Sequence, residues 1–183
     1  MGPDGPARPE VAAFLSAYGA PRLGRPRERV LRWAAKVHEL VSETAGQGKD
    51  AAGVVDVMMD KDIRGQVFLL EGGLKFYQER YGDPIRGQKD SAKALEDLLG
   101  AVKGAKDYQK VGREHQVPAS VQKVLDQAVL DSRGELDSLA KDRWMPDEHG
   151  QIPALKELVD TLQNTPWEDY DTDKQTVHGE LAR

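Results

Sequence analysis

The sequence predicts an all-α fold, a bundle of about five to six mostly antiparallel helices. Three observations lead there. Apolar residues return at steps of three and four in every long segment, the spacing that lines one face of a helix. No segment alternates with period two, and no Asn-Gly or Asp-Gly turn joins two strand-like runs; Asp4-Gly5 falls in a proline-rich leader. Charged residues make up 31% and aromatics 6% of the chain, a balance that suits a helical bundle better than a β-sandwich.

The helix around which the others are organised is predicted over 61–81, KDIRGQVFLLEGGLKFYQERY. Ile63, Val67, Leu70, Leu74, Tyr77 and Tyr81 share one stripe. Phe68, Leu69 and Phe76 widen the apolar surface, as expected of a helix buried on more than one side. Gly72 and Gly73 each cost roughly 1 kcal/mol relative to alanine inside a helix, so a close approach by another backbone is expected there.

In chain order, 1–26 reads as a Pro/Gly/Arg-rich arm, with VAAFLSAY as a short helix able to dock on the body. Arg8, Arg22, Arg25, Arg27, Arg29 and Arg32 make this region basic: either a solvated leader or an arm that touches an anionic partner. The bundle domain is placed at 27–163. Its first long helix follows Pro26, carries Val30, Trp33, Ala34, Val37, Leu40 and Val41, and ends at Gly46 and Gly48. Asp50 can cap AAGVVDVMM, and the spacing leaves open whether 51–81 is one kinked helix or two. Gly82, Asp83 and Pro84 are expected to stop the central helix and open a loop to Ser91, the cap of a helix that buries Leu95, Leu98, Leu99, Val102 and Ala105. Pro118 opens another helix, with Val121, Leu125, Ala128, Val129, Leu136 and Leu139 as its apolar positions, Gly134 as a possible break and 144–150 as a turn. Pro153 opens the last, where Ile152, Leu155, Leu158, Val159 and Leu162 keep the helical period. The tail, 164–183, with Glu168, Asp169, Asp171 and Asp173, reads as acidic and flexible.

The chain of 183 residues carries a net charge of −5, so nothing global advertises nucleic acid or a membrane surface as a partner. No apolar run approaches the roughly 20 residues of a membrane helix. Cysteine is absent, which excludes disulfides, a thiol nucleophile and a thiolate metal site, and agrees with a cytoplasmic location. His38, His115, His149 and His178 are scattered, and there is no H-E-x-x-H, no G-K-[ST] phosphate loop, no G-x-S-x-G elbow and no EF-hand loop. Asp56 and Asp60 can share a helix face as hard-cation ligands, or simply be capping or solvated carboxylates. No catalytic residue, metal site or cofactor is expected.

Two segments carry a resemblance. Over 61–77, Arg64, Leu70, Leu74, Gly72 and Gly73, and over 92–107, ALEDLLG followed by Lys103, resemble without a gap the patterns H-x-x-R-x-x-x-R-R-L-R-x-x-L and L-x-x-L-L-G…R-D of the CHAD (conserved histidine α-helical domain) family. The chain is thus similar over about 61–113 to a divergent member of that family. The resemblance implies a bundle of long helices and inorganic polyphosphate held by inward-facing basic residues. Lys61 stands at the histidine, Phe68 and Leu69 at the arginine pair, Glu71 at the next arginine and Gly104 at the aspartate. The basic residues that remain for a polyanion are Lys61, Arg64 and Lys75, with Lys103, Lys106, Lys110 and Arg113 along one side of the next helix. That last group reads either as an ordinary solvated edge relieved by Asp107 and Glu114, or as a docking strip.

A polyphosphate groove needs several cations facing one channel. Exchanging an arginine pair for Phe and Leu removes two charges and adds side chains whose burial is favourable by roughly 1.5–3 kcal/mol each. The leading expectation is therefore a non-catalytic, CHAD-like binding module acting through a protein partner or self-association. The alternative is a polyphosphate binder using the residual basic stripe, and the third a metal-dependent hydrolase built on Asp56 and Asp60.

Overall fold

The computed structural model describes residues 8–45, 51–61, 63–167 and 175. They form seven α-helices and no strand among the described residues: α1 (Pro9–Ala17), α2 (Arg25–Ala45), α3 (Ala51–Asp60), α4 (Ile63–Tyr81), α5 (Asp83–Glu114), α6 (Ala119–Leu139) and α7 (Pro153–Asn164). A single π-helical turn, Ala140–Trp144, extends α6. The leader Asp4-Gly5, the breakers Gly46 and Gly48, the cap Asp50, Asp62, His178 and the tail acids Glu168, Asp169, Asp171 and Asp173 lie outside the described residues.

The predicted stripe of α4 forms the centre of the core. Ile63, Val67, Leu70, Leu74 and Tyr77 are buried, and Tyr81 packs against the core edge. α4 lies against α5 on one flank and α2 on the other. The segment 51–81 is two helices, with a break at Lys61.

The turn after α4 differs from expectation. No loop runs from Gly82 to Ser91: α5 starts at Asp83, with a single residue between it and the end of α4. Gly82 makes that connection alone, at φ 72°, a conformation that costs glycine little. Pro84 sits in the first turn of α5, where it does no harm, and Ile85, the next residue, is fully buried. The Gly-Asp-Pro signal marks a stop and a start at once. Gly134 likewise does not break α6. Trp144, expected to open a turn and to serve as a core or edge anchor, is buried in the π-helical segment.

Val11, Phe14 and Leu15 of α1 are buried in the core, and the Tyr18 hydroxyl accepts a hydrogen bond from the Ile152 amide at 3.1 Å. Burial pushes the Tyr18 pKa up to about 12, so the phenol stays protonated. After α7, Thr165 is buried and Trp167 packs on Tyr77 and Tyr81 with ring centroids 4.9 and 4.5 Å away. The Trp167 indole donates to the Leu162 carbonyl at 3.1 Å, and the Arg27 guanidinium stands over its ring. All five apolar positions foreseen for the last helix are buried.

The 32 residues of α5 give a helix about 48 Å long. Its buried side chains end at Val102, and α6 buries none before Leu136. The distal parts of α5 and α6 therefore form a two-helix arm whose main packing partners are each other.

Candidate functional site

The seven basic residues foreseen for a polyanion do not converge on one channel, and five of them are held by carboxylates. Lys61 Nζ lies 3.4 Å from Glu43 Oε2. Arg64 Nε donates to Glu96 Oε1 at 2.8 Å, with Nη2 2.6 Å from the same oxygen. Lys103 pairs with Asp107 at 3.1 Å, Lys110 with Glu114 at 3.8 Å, and Arg113 with Asp126 at 3.4 Å. Lys75 and Lys106 are exposed. The repulsion expected along the 103–113 stripe is thus relieved within α5 and by α6. Arg64 and Lys103 line one cavity, of about 220 Å³, where Met58, Met59, Asp60 and Leu99 complete the lining.

Gly100 explains how Arg64 reaches its place. A Cβ added to Gly100 would stand 3.2–3.3 Å from the Arg64 guanidinium, so the bare backbone lets that group lie flat on α5. Glu96, one turn earlier, receives the charge. The sequence offered both residues within ALEDLLG but not their relation to Arg64.

Three further expected features have structural roles. Asp56, weighed as a cation ligand, accepts a 2.6 Å bond from Arg133 Nη1, whose Nε is bound to Asp137 at 2.8 Å. Among the described residues no group of three or more His, Asp or Glu side chains is placed to hold a metal ion. The N-terminal arginines are also engaged: Arg22 with Glu28 at 3.1 Å, Arg29 with the Tyr77 hydroxyl at 3.3 Å, and Arg32 stacked 4.2 Å over Trp33. His38 is enclosed by Phe14 and Tyr18, with ring centroids 5.6 and 5.4 Å away, and burial pushes its pKa down.

What the surface does present is apolar. Phe68, Leu69 and Phe76 are 57%, 44% and 43% exposed. They were expected to be buried on a second side of α4. Instead α2 and α5 flank α4, and its outward face has no covering helix among the described residues. Gly65, Phe68, Leu69, Gly72 and Phe76 recur along that face at helical spacing, opposite the buried stripe. The glycine pair divides its duties. A Cβ on Gly73 would meet Trp33 Cζ3 at 2.6 Å, so the close neighbour is an indole ring rather than a backbone. A Cβ on Gly72 would meet nothing within 4 Å.

The arm also displays apolar side chains. Gly112 packs against Leu125, Gln122 and Val117, which fixes the contact line of α5 with α6. On one side of that line the Asp126 carboxylate accepts from Gln109 at 2.8 Å, Gln122 at 2.9 Å and Arg113, and these bonds hold its pKa below the usual carboxylate range. Away from that side, Tyr108 and Val111 of α5 and Val121 and Val124 of α6 are all exposed. Composition gave no sign of this; the available signal was that Tyr108 and Val111 fall off the Leu95–Leu99–Val102 line.

No helix among the described residues is long and apolar enough to cross a membrane. No protein-family model, curated protein or solved structure matches the chain.

Proposed function

We propose that this chain is a non-catalytic, cytoplasmic binding module with a CHAD-like, mostly antiparallel helical scaffold, and that it acts through contact with protein, in a complex or an assembly. The observation that carries this reading is the exposed apolar face of α4, where Phe68, Leu69 and Phe76 stand in solvent on the central helix of the fold. A contiguous apolar patch on the surface marks an interaction site more often than chance exposure does. The scaffold part of the reading is supported by the two resembling segments packing on each other. Arg64 near the start of α4 meets Glu96 and Gly100 of α5, the pairing expected of adjacent antiparallel helices folded about Gly82.

The test is capture of protein by the wild-type chain compared with a Phe68→Ser/Phe76→Ser variant, alongside light scattering on each. Both side chains are exposed, so the variant keeps its helical content. Association with itself or with another protein that is lost in the variant supports the reading; a strict monomer that captures nothing counts against it.

A second reading, binding of inorganic polyphosphate, is favoured by the shared cavity of Arg64 and Lys103 and by the exposed Lys106. It requires binding that weakens steeply with salt and with Lys103→Glu, Lys106→Glu and Lys110→Glu together. The pairing of Arg64 with Glu96 and of Lys103 with Asp107 weighs against it, since each cation would first have to exchange its carboxylate for a phosphate.

A further inference from the structure

The outward face of α4 has a symmetry of its own. Phe68 lies four residues before Gly72 and Phe76 four residues after it, so the three form one i, i+4, i+8 ridge with the bare glycine at its midpoint. Among the described residues, nothing lies within 4 Å of where a Gly72 Cβ would stand. We infer that the face is closed by a second copy of this chain, with a two-fold axis passing at Gly72. This rests on the reading of α4 as a protein-binding face and names its partner.

Three arguments select a second copy. The first is register. A two-fold axis at Gly72, with the two α4 helices antiparallel, sets each residue at 72+k opposite 72−k of the other copy. Phe68 then meets Phe76 of the second copy, and Phe76 meets its Phe68, so one sequence pattern supplies both halves of an isologous contact. Leu69 meets the aliphatic stem of Lys75 from the second copy by the same rule. A heterologous partner has no reason to match a pattern symmetric about one glycine.

The second argument is charge. The chain carries −5 overall, so two copies repel each other unless they meet where charge is absent. Gly65, Phe68, Leu69, Gly72 and Phe76 are all uncharged, while Arg64, Glu71, Lys75, Glu79 and Arg80 border the face or sit towards its ends. Of these cations Arg64 is paired with Glu96, and Lys75, the one nearest Gly72, is exposed and keeps its ammonium at the edge in water while its stem enters the contact.

The third is area. α4 spans 19 residues, about 28 Å. With α2 and α5 alongside at helix spacings of about 8–10 Å, the face is about 20 Å wide and offers on the order of 600 Å² per copy. That approaches the roughly 800 Å² per partner of standard specific interfaces, enough for a dimer of moderate affinity. The missing Cβ at Gly72 is what lets the axes come this close.

The test is sedimentation equilibrium of the full chain across a concentration series, with far-UV circular dichroism on every sample. The wild type is expected to form a dimer of the 20.2 kDa chain. Phe68→Ser and Phe76→Ser each weaken it by roughly tenfold or more, as removal of a central aromatic anchor does. Gly72→Leu abolishes it by holding the helices apart, and Val124→Ser on the arm leaves it unchanged. A monomer at all concentrations overturns the inference, as does a dimer that survives Phe68→Ser and Phe76→Ser or is lost with Val124→Ser. If the monomer still captures another protein through Phe76, the inference fails and the binding-module reading stands; a monomer that captures nothing removes both.

Discussion

Gly72 and Gly73 are neighbours in the sequence and opposites in setting. Gly73 faces the Trp33 ring, which is itself stacked by Arg32, so a methyl group there has to displace a rigid side chain. Gly73→Ala is expected to destabilise by roughly 1–3 kcal/mol, overpacking outweighing the gain in helix propensity. Gly72→Ala meets open space and is expected to stabilise the monomer by up to about 1 kcal/mol. Urea denaturation at concentrations low enough to hold the chain as a monomer checks both signs. His38 gives a second prediction at this scale. Its burial between Phe14 and Tyr18 lowers its pKa from the ordinary 6.5, so the folded state prefers the neutral ring. The unfolded chain takes up its proton as pH falls past about 6.5 while the folded chain lags, so this contribution is complete above that pH and is lost below it. The difference in stability between pH 7.5 and 5.5 should shrink in His38→Gln, and an unchanged difference would assign the pH dependence elsewhere.

The helices divide into a body and an arm. Body helices bury continuous apolar lines, whereas Gly112 is the only buried residue between Val102 and Leu136. Arm amides should therefore exchange with solvent faster than those of α4 and α7, because opening the arm exposes little apolar surface. Hydrogen exchange read by mass spectrometry checks this; equal protection in peptides from 104–132 and from α4 would contradict it. The same division explains what the sequence disclosed. The buried line of α4 and the whole of α7 were legible because period 3.6 reports one packed face. The start of α5 was not, because Gly-Asp-Pro ends one helix and begins another with the same residues, and only the burial of Ile85 decides between them. The exposure of Phe68, Leu69 and Phe76 was not legible either. Periodicity shows that a residue is apolar and on a given face, not whether another helix comes to cover it. The spacing of the basic residues on α5 said nothing of Asp126, which reaches Arg113 from α6, nor of Glu96, which α5 offers to Arg64 of α4; both are tertiary pairings.

At the scale of the whole molecule, charge and apolar surface have separate uses. Most of the basic residues weighed for a polyanion are tied to carboxylates, within α5, between α4, α5 and α6, or, for Lys61 in the break after α3, with α2. The apolar residues beyond the core are displayed on the back of α4 and on the arm. Such a surface favours a protein contact over a phosphate chain, and the register about Gly72 favours a second copy.

The chain has no cysteine, so a single introduced thiol is unique. In Gly72→Cys, two α4 helices packed about 8–10 Å apart on a two-fold axis bring the paired Cα atoms to about 3.5–5.5 Å, overlapping the span of a disulfide. Mild oxidation of Gly72→Cys, run beside Val124→Cys, is predicted to give a covalent dimer for the first and not the second, at protein concentrations where random collision is slow. A Gly72→Cys chain that stays monomeric, or a Val124→Cys chain that cross-links as fast, would contradict the account.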